Sequence, residues 1–189
     1  MKKLLLILSQ FLSLIALSQP IESIELVNVA DGKMTAIRPC STCKGSVVIF
    51  TSLSCPYDQH YQDRIKALIE KFGTDVSFFL VNSNTEPSED ETKMKTALSR
   101  WGFSIPYLSD KNQTAMTTLG VRRTPEAVLL KLNGKSLQPV YQGAIDDNPQ
   151  VHHDTGKDFL KDAIEELITN KSIKVATERV IGCSIRKKG

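Results

Sequence analysis

The chain has 189 residues, 24 basic side chains against 21 acidic ones, and 41% hydrophobic residues. A length of this order suits one domain that can bury its own core. The near balance of charge lacks the electrostatic footprint of a nucleic-acid or acidic-lipid binder, which argues against both as partners.

At the N-terminus, Lys2 and Lys3 precede an apolar run from Leu4 to Leu17, the order of a secretory signal peptide. The run is interrupted by Ser9, Gln10 and Ser13, and it falls short of the roughly 20 apolar residues that a membrane anchor needs. Ala16-Leu17-Ser18 fits a cleavage site, so residues 1–18 read as a signal peptide and the mature chain begins at Gln19. The protein is expected to be exported, periplasmic or secreted, with no integral membrane segment after cleavage. Export places Cys40, Cys43, Cys55 and Cys183 where disulfides persist. A domain with its own core does not need four cysteines as a scaffold, so they read as chemistry.

Residues 19–46 read as an N-terminal extension carrying Cys40-Ser41-Thr42-Cys43. The main α/β domain is expected over 47–170. Its first strand is Val47-Val48-Ile49-Phe50-Thr51, a continuous β-branched and apolar run of the kind buried on both faces of a parallel sheet. Pro56 suits a first helical position. Beyond it Tyr57, Tyr61, Ile65, Leu68 and Phe72 recur at helical spacing until Gly73. Val76 to Val81 repeats the strand pattern. Ser88 and Glu91 then suggest a capping box for a helix ending at Trp101-Gly102.

After the apolar segment Ile105 to Leu108, Asp110 caps a brief helix that stops at Gly120. Asn133-Gly134 between Ala127–Leu132 and Leu137–Tyr141 is a hairpin signal. Phe159, Leu160, Ala163, Ile164, Leu167 and Ile168 mark a last helix, and residues 171–189 form a tail carrying Cys183. Together these predict an α/β fold with a central mixed sheet flanked by helices on both faces.

Four segments carry a resemblance to a known group: Phe50 to Tyr57, Arg123-Thr124-Pro125-Glu126, Tyr141 to Asn148, and Gly182-Cys183-Ser184-Ile185. The chain resembles the peroxiredoxin-like branch of the thioredoxin superfamily, close to redoxin and alkyl hydroperoxide reductase relatives. The resemblance implies a cis peptide bond at Thr124-Pro125 facing the active-site cysteine, a bond that folded context must enforce. Members typically carry Cys-x-x-Cys-Pro-Tyr after the first strand, and here Ser52 stands at the first of those cysteines. Thr51 to Cys55 is also one residue longer than the Thr-x-x-Cys spacing of true peroxiredoxins.

Cys55 is the expected nucleophile, because a helix N-terminus favours thiolate. Thr51, Arg123, Thr124 and Pro125 are its expected surroundings. Cys40 and Cys43 are a secondary redox pair: a disulfide, structural or resolving for Cys55, or half of a zinc site whose remaining ligands are not evident. The five strand residues between Cys43 and Cys55 span roughly 16 Å, against about 7 Å between the Cα atoms of bridged cysteines. The tail can reach without disturbing the sheet, so Cys183 is the expected resolving cysteine. His60 reads as a surface residue, adjacent His152 and His153 point apart, and Asp146 and Asp147 read as turn residues.

The function expected is an exported thiol-based oxidoreductase with antioxidant character, working by disulfide exchange or peroxide reduction. Its partner would be a thiol or disulfide protein or a small peroxide, its electrons would come from a thioredoxin-like protein, and no organic or metal cofactor is required. Two alternatives remain open: a copper chaperone holding Cu(I) on thiolates, and a redox-inactive binding module, for which Ser52 is the evidence.

Overall fold

The computed structural model describes residues 21–151 and 155–188. The expected signal peptide and the His152-His153 pair lie outside the described residues. Among the described residues, no helix is long and apolar enough to cross a membrane.

The run read as the first strand forms β3 (Gly45–Phe50), every residue of it buried. It pairs in parallel with β4 (Val76–Asn82), which pairs in parallel with β5 (Tyr107–Ser109). On its other side β3 pairs antiparallel with β7 (Glu126–Asn133), which turns at Asn133-Gly134 into β8 (Ser136–Gly143). The sheet does not stop at β5. The stretch read as an extension supplies β1 (Glu25–Asn28) and β2 (Met34–Ala36), which prolong it in the order β2-β1-β5-β4-β3-β7-β8. These strands are too short for their alternation to register in sequence.

The side chains of β3 alternate between two cores. Val47 and Ile49 face a cluster built with α1 (Pro56–Phe72), α2 (Glu91–Trp101) and α4 (Phe159–Ile168), through residues such as Ile65, Leu68, Trp101, Leu160 and Ile164. Val48 and Phe50 face α3 (Thr114–Leu119), the N-terminal segment and Ile185 of the tail. Each fully buried aliphatic or aromatic side chain contributes about 1.5–3 kcal/mol. The continuous apolar strands at the centre are thus what bring helices onto both faces.

The helix boundaries follow the sequence with two changes. At α2, Asp90 is the N-cap and accepts from the Lys93 amide, whereas Ser88 belongs to a 3-10 turn, Pro87–Glu89. That turn is wound by Pro87 and held by Glu89, whose side chain is drawn inward to the site described below. At α3 the N-cap position is Gln113, and Asp110, expected there, serves the helix from before it, its carboxylate accepting from the Ala115 and Met116 amides.

The sheet's close packing depends on Gly45. A Cβ there would lie 2.6 Å from the Leu130 carbonyl oxygen and 2.7 Å from Leu167 Cδ2. The carbonyl belongs to the β3–β7 ladder and cannot withdraw without breaking it. Gly45→Ala is therefore expected to destabilise the protein by about 1–3 kcal/mol, read as a lower urea midpoint with unchanged slope. An unchanged midpoint would contradict this packing.

Candidate functional site

β3 ends at Phe50, and the chain reaches α1 through Thr51 to Ser54. Cys55 is the N-cap of α1, with extended backbone, and Pro56 occupies the first turn. The cysteine is 2% exposed. Its sulfur lies 3.5 Å from the Thr124 carbonyl oxygen, and the Thr124-Pro125 peptide bond is cis.

The tail completes the arrangement. Gln142 receives it, donating from its amide to the Ala176 carbonyl and accepting from the Glu178 amide. The tail then runs antiparallel to β6 (Arg123–Thr124) as β9 (Cys183–Ser184), with Thr124 opposite Cys183. The Arg123 guanidinium donates to the Gly182 carbonyl at 3.0 Å, and the Ile185 amide donates to Arg122. Gln113 grips the end, donating to the Arg186 carbonyl and accepting from the Lys188 amide. A Cβ on Gly182 would lie 2.2 Å from the Thr124 carbonyl oxygen, so only glycine allows this approach. The result is a disulfide between Cys55 and Cys183, with Cα atoms 5.9 Å apart.

That bridge closes a loop of 128 residues in sequence separation, which in the chain-entropy model stabilises the fold by about 5 kcal/mol. The second bridge joins Cys40 and Cys43, only three residues apart, and on the same model contributes about 2 kcal/mol. The structure pairs Cys40 with Cys43 and Cys55 with Cys183, so the N-terminal pair does not bridge to Cys55. Thr51, Thr124 and Pro125 are buried around Cys55, and Arg123 is exposed on β6.

Sequence reasoning missed three acidic groups. Asp58, one turn after Cys55, is 3% exposed, and among the described residues neither carboxyl oxygen has a hydrogen-bond partner. Burial pushes its pKa up to about 8, with the charge of Glu89 adding to the rise; the nearby hydroxyls of Thr51 and Thr124 and the Ser52 backbone offset it only in part. The Thr124 hydroxyl is itself buried without a partner among the described residues. A signal was present: Asp58 lies on the stripe of Tyr61, Ile65, Leu68 and Phe72, where a core side chain belongs, while Tyr57, assigned there from sequence, is only half-buried.

Glu89 is the second. Burial raises its pKa, but hydrogen bonds from Ser54, Leu53, Asn82 and Ser52 prevail and hold it below the usual carboxylate range. The Ser52 hydroxyl donates to it at 2.7 Å and the Leu53 and Ser54 amides at 2.8 and 3.0 Å. Position 52, where relatives carry a cysteine, here ties the loop to a buried carboxylate. Asp146 is the third: read as a turn residue, it forms a buried ion pair with Arg64 at 2.5 Å and accepts from the Tyr61 hydroxyl at 2.9 Å.

The redoxin family model matches residues 23–168 of the chain. No curated protein matches it. Among solved structures, an uncharacterised conserved protein from Geobacillus kaustophilus is similar at 24% identity and a TM-score of 0.78, covering 90% of this chain and 91% of its own. A hypothetical protein of Sinorhizobium meliloti 1021 is similar at 22% identity and 0.72, covering 88% and 91%. A secreted disulfide oxidoreductase of Mycobacterium tuberculosis is similar at 11% and 0.55, covering 79% and 96%. The mixed sheet with helices on both faces is thus a thioredoxin-like α/β fold, and that fold with its cysteine pairs supports a thiol–disulfide redox function.

The buried acid makes a prediction about stability. Between its ordinary value of 3.8 and its folded value of about 8, Asp58 holds a proton in the native state that the unfolded chain has released. Its contribution is therefore most favourable below about pH 4 and is lost as the pH rises toward 8. Asp58→Asn is expected to gain on the wild type steadily over this interval in denaturant titrations at a series of pH values. Parallel profiles for the two proteins would contradict the assignment.

Proposed function

The chain belongs to the redoxin family, and from that premise we propose that it is an exported thiol–disulfide oxidoreductase whose working pair is Cys55 and Cys183. The observation that carries this reading is the Cys55–Cys183 bridge at the start of α1, against the cis Thr124-Pro125 turn. Export rests on the sequence of residues 1–18 and accords with the secreted disulfide oxidoreductase among the similar folds.

In the reduced protein the N-terminus of α1 favours the Cys55 thiolate. That thiolate attacks one sulfur of a target disulfide; the target bond breaks and a mixed disulfide forms. Cys183, set opposite Thr124 by β9, attacks the Cys55 sulfur and releases the second target thiol. Two electrons pass from the cysteine pair to the target, and the two thiol protons of the pair end on the target thiols. Asp58, largely protonated at neutral pH, is the group beside Cys55 placed to hold the proton exchanged as Cys55 changes between thiol and thiolate.

For re-reduction, the more accessible Cys183 sulfur receives the incoming thiolate of a thioredoxin-like donor, and Cys55, 2% exposed, is the leaving group. Arg123 positions the tail through Gly182, and Thr51 and Thr124 line the Asp58 site. Residues 171–189 thus act as a tail that carries the resolving cysteine to residues 47–170.

Cys183→Ser is expected to abolish turnover of a peptide disulfide with a thiol reductant while the mixed disulfide at Cys55 still forms, trapped and identified by mass spectrometry. Cys40→Ser with Cys43→Ser is expected to leave that turnover intact. Full turnover in the Cys183 variant would overturn the proposal. Consumption of hydrogen peroxide but not of the peptide disulfide would move the activity to peroxide reduction.

A further inference from the structure

The Cys40–Cys43 disulfide stands apart from the site just described. It precedes β3, whereas Cys55 follows it, and the six residues of that strand rise about 20 Å. The two bridges cannot exchange sulfurs directly within one folded chain. Cys40 is exposed and Cys43 half-buried.

Hydrogen bonds hold the turn of the pair in addition to the disulfide. The Cys43 amide donates to the Cys40 carbonyl at 3.0 Å, closing the turn. The Cys40 amide donates to the Ser77 hydroxyl oxygen at 2.8 Å, and that hydroxyl lies 3.5 Å from the Cys43 sulfur with its donor directed there. The Thr42 hydroxyl lies 3.3 Å from the Cys40 sulfur. A bridge across three residues constrains the unfolded chain far less than one across 128. The turn is also hydrogen-bonded and anchored to β4, so the bond's structural contribution is the smaller of the two.

The geometry points to a second thiol–disulfide exchange centre at Cys40–Cys43, independent of Cys55–Cys183 and open to external dithiols. An incoming thiolate attacks the exposed Cys40 sulfur, the sulfur–sulfur bond breaks, and Cys43 leaves as a thiolate facing the Ser77 hydroxyl, where it takes a proton. The second thiol of the dithiol then attacks the mixed disulfide, frees Cys40 and closes the donor's own disulfide. The donor loses two electrons and two protons, and the Cys40/Cys43 pair gains both.

The test uses the whole oxidised protein in mixtures of reduced and oxidised dithiothreitol, a dithiol, with acid quenching, alkylation and mass spectrometry of the cysteine peptides. As the reduced fraction rises, a species alkylated at Cys40 and Cys43 with the Cys55–Cys183 bridge intact is expected to appear first. Ser77→Ala is expected to slow reduction of Cys40–Cys43 several-fold without changing that of Cys55–Cys183. Cys40→Ser with Cys43→Ser is expected to leave the reduction of Cys55–Cys183 unchanged. The proposal is overturned if Cys40–Cys43 stays oxidised in mixtures that fully reduce Cys55–Cys183, or if its reduction is slowed equally by Cys55→Ser with Cys183→Ser. The readout is separate from turnover of a peptide disulfide, so either proposal can fail without the other.

Discussion

The approach of the tail backbone to the Thr124-Pro125 turn is the constraint on which the site depends. Gly182 passes so close to the Thr124 carbonyl that no side chain fits between them. That contact sets β9 against β6, puts Cys183 opposite Thr124, and so brings it within bridging distance of Cys55. It also covers Cys55 and contributes Ile185 to the core beneath α3. Asp58 is desolvated among Thr51, Ser52 and Thr124, the last of which is the residue the tail pairs with. A single close backbone contact thereby couples covalent and packing features that lie far apart in sequence.

A second constraint fixes the loop that delivers Cys55. Glu89 gathers the Ser52 and Ser54 hydroxyls, two loop amides and the Asn82 amide on one buried carboxylate. Buried charges persist only when paired or fully hydrogen-bonded, and this one is satisfied by the loop it organises. Lys111 binds the Glu89 carbonyl and the Asn84 carbonyl, with its own pKa lowered by burial. The serine at position 52 thus has a structural partner, and the disulfide partner of Cys55 comes from the tail.

Much of this was legible in the sequence because it was written in strong local signals. Continuous apolar strands, the helix stripe from Tyr61 to Phe72 and the Asn133-Gly134 turn each appear where their patterns place them. Cys55 and Thr124-Pro125 were legible through motif and position, and Cys183 through a resemblance joined to an argument about reach. What escaped notice has no local signature. β1 owes its place to β5, a partner about 80 residues away in the register Val27 to Ser109, and β2 pairs in turn with β1. Glu89 and Asp146 look like acidic loop residues until distant donors, Ser52 and Arg64, close on them. Asp58 broke an apolar stripe, and a charge in such a position is a signal of function when nothing nearby neutralises it.

The central claim is the pairing of cysteines, and non-reducing peptide mapping by mass spectrometry of the oxidised, full-length protein tests it most directly. The account predicts one cross-linked species joining the Cys55 and Cys183 peptides, with Cys40 and Cys43 bridged within a single peptide. A cross-link from Cys55 to Cys40 or Cys43, or a free Cys183 thiol in the oxidised protein, would contradict it.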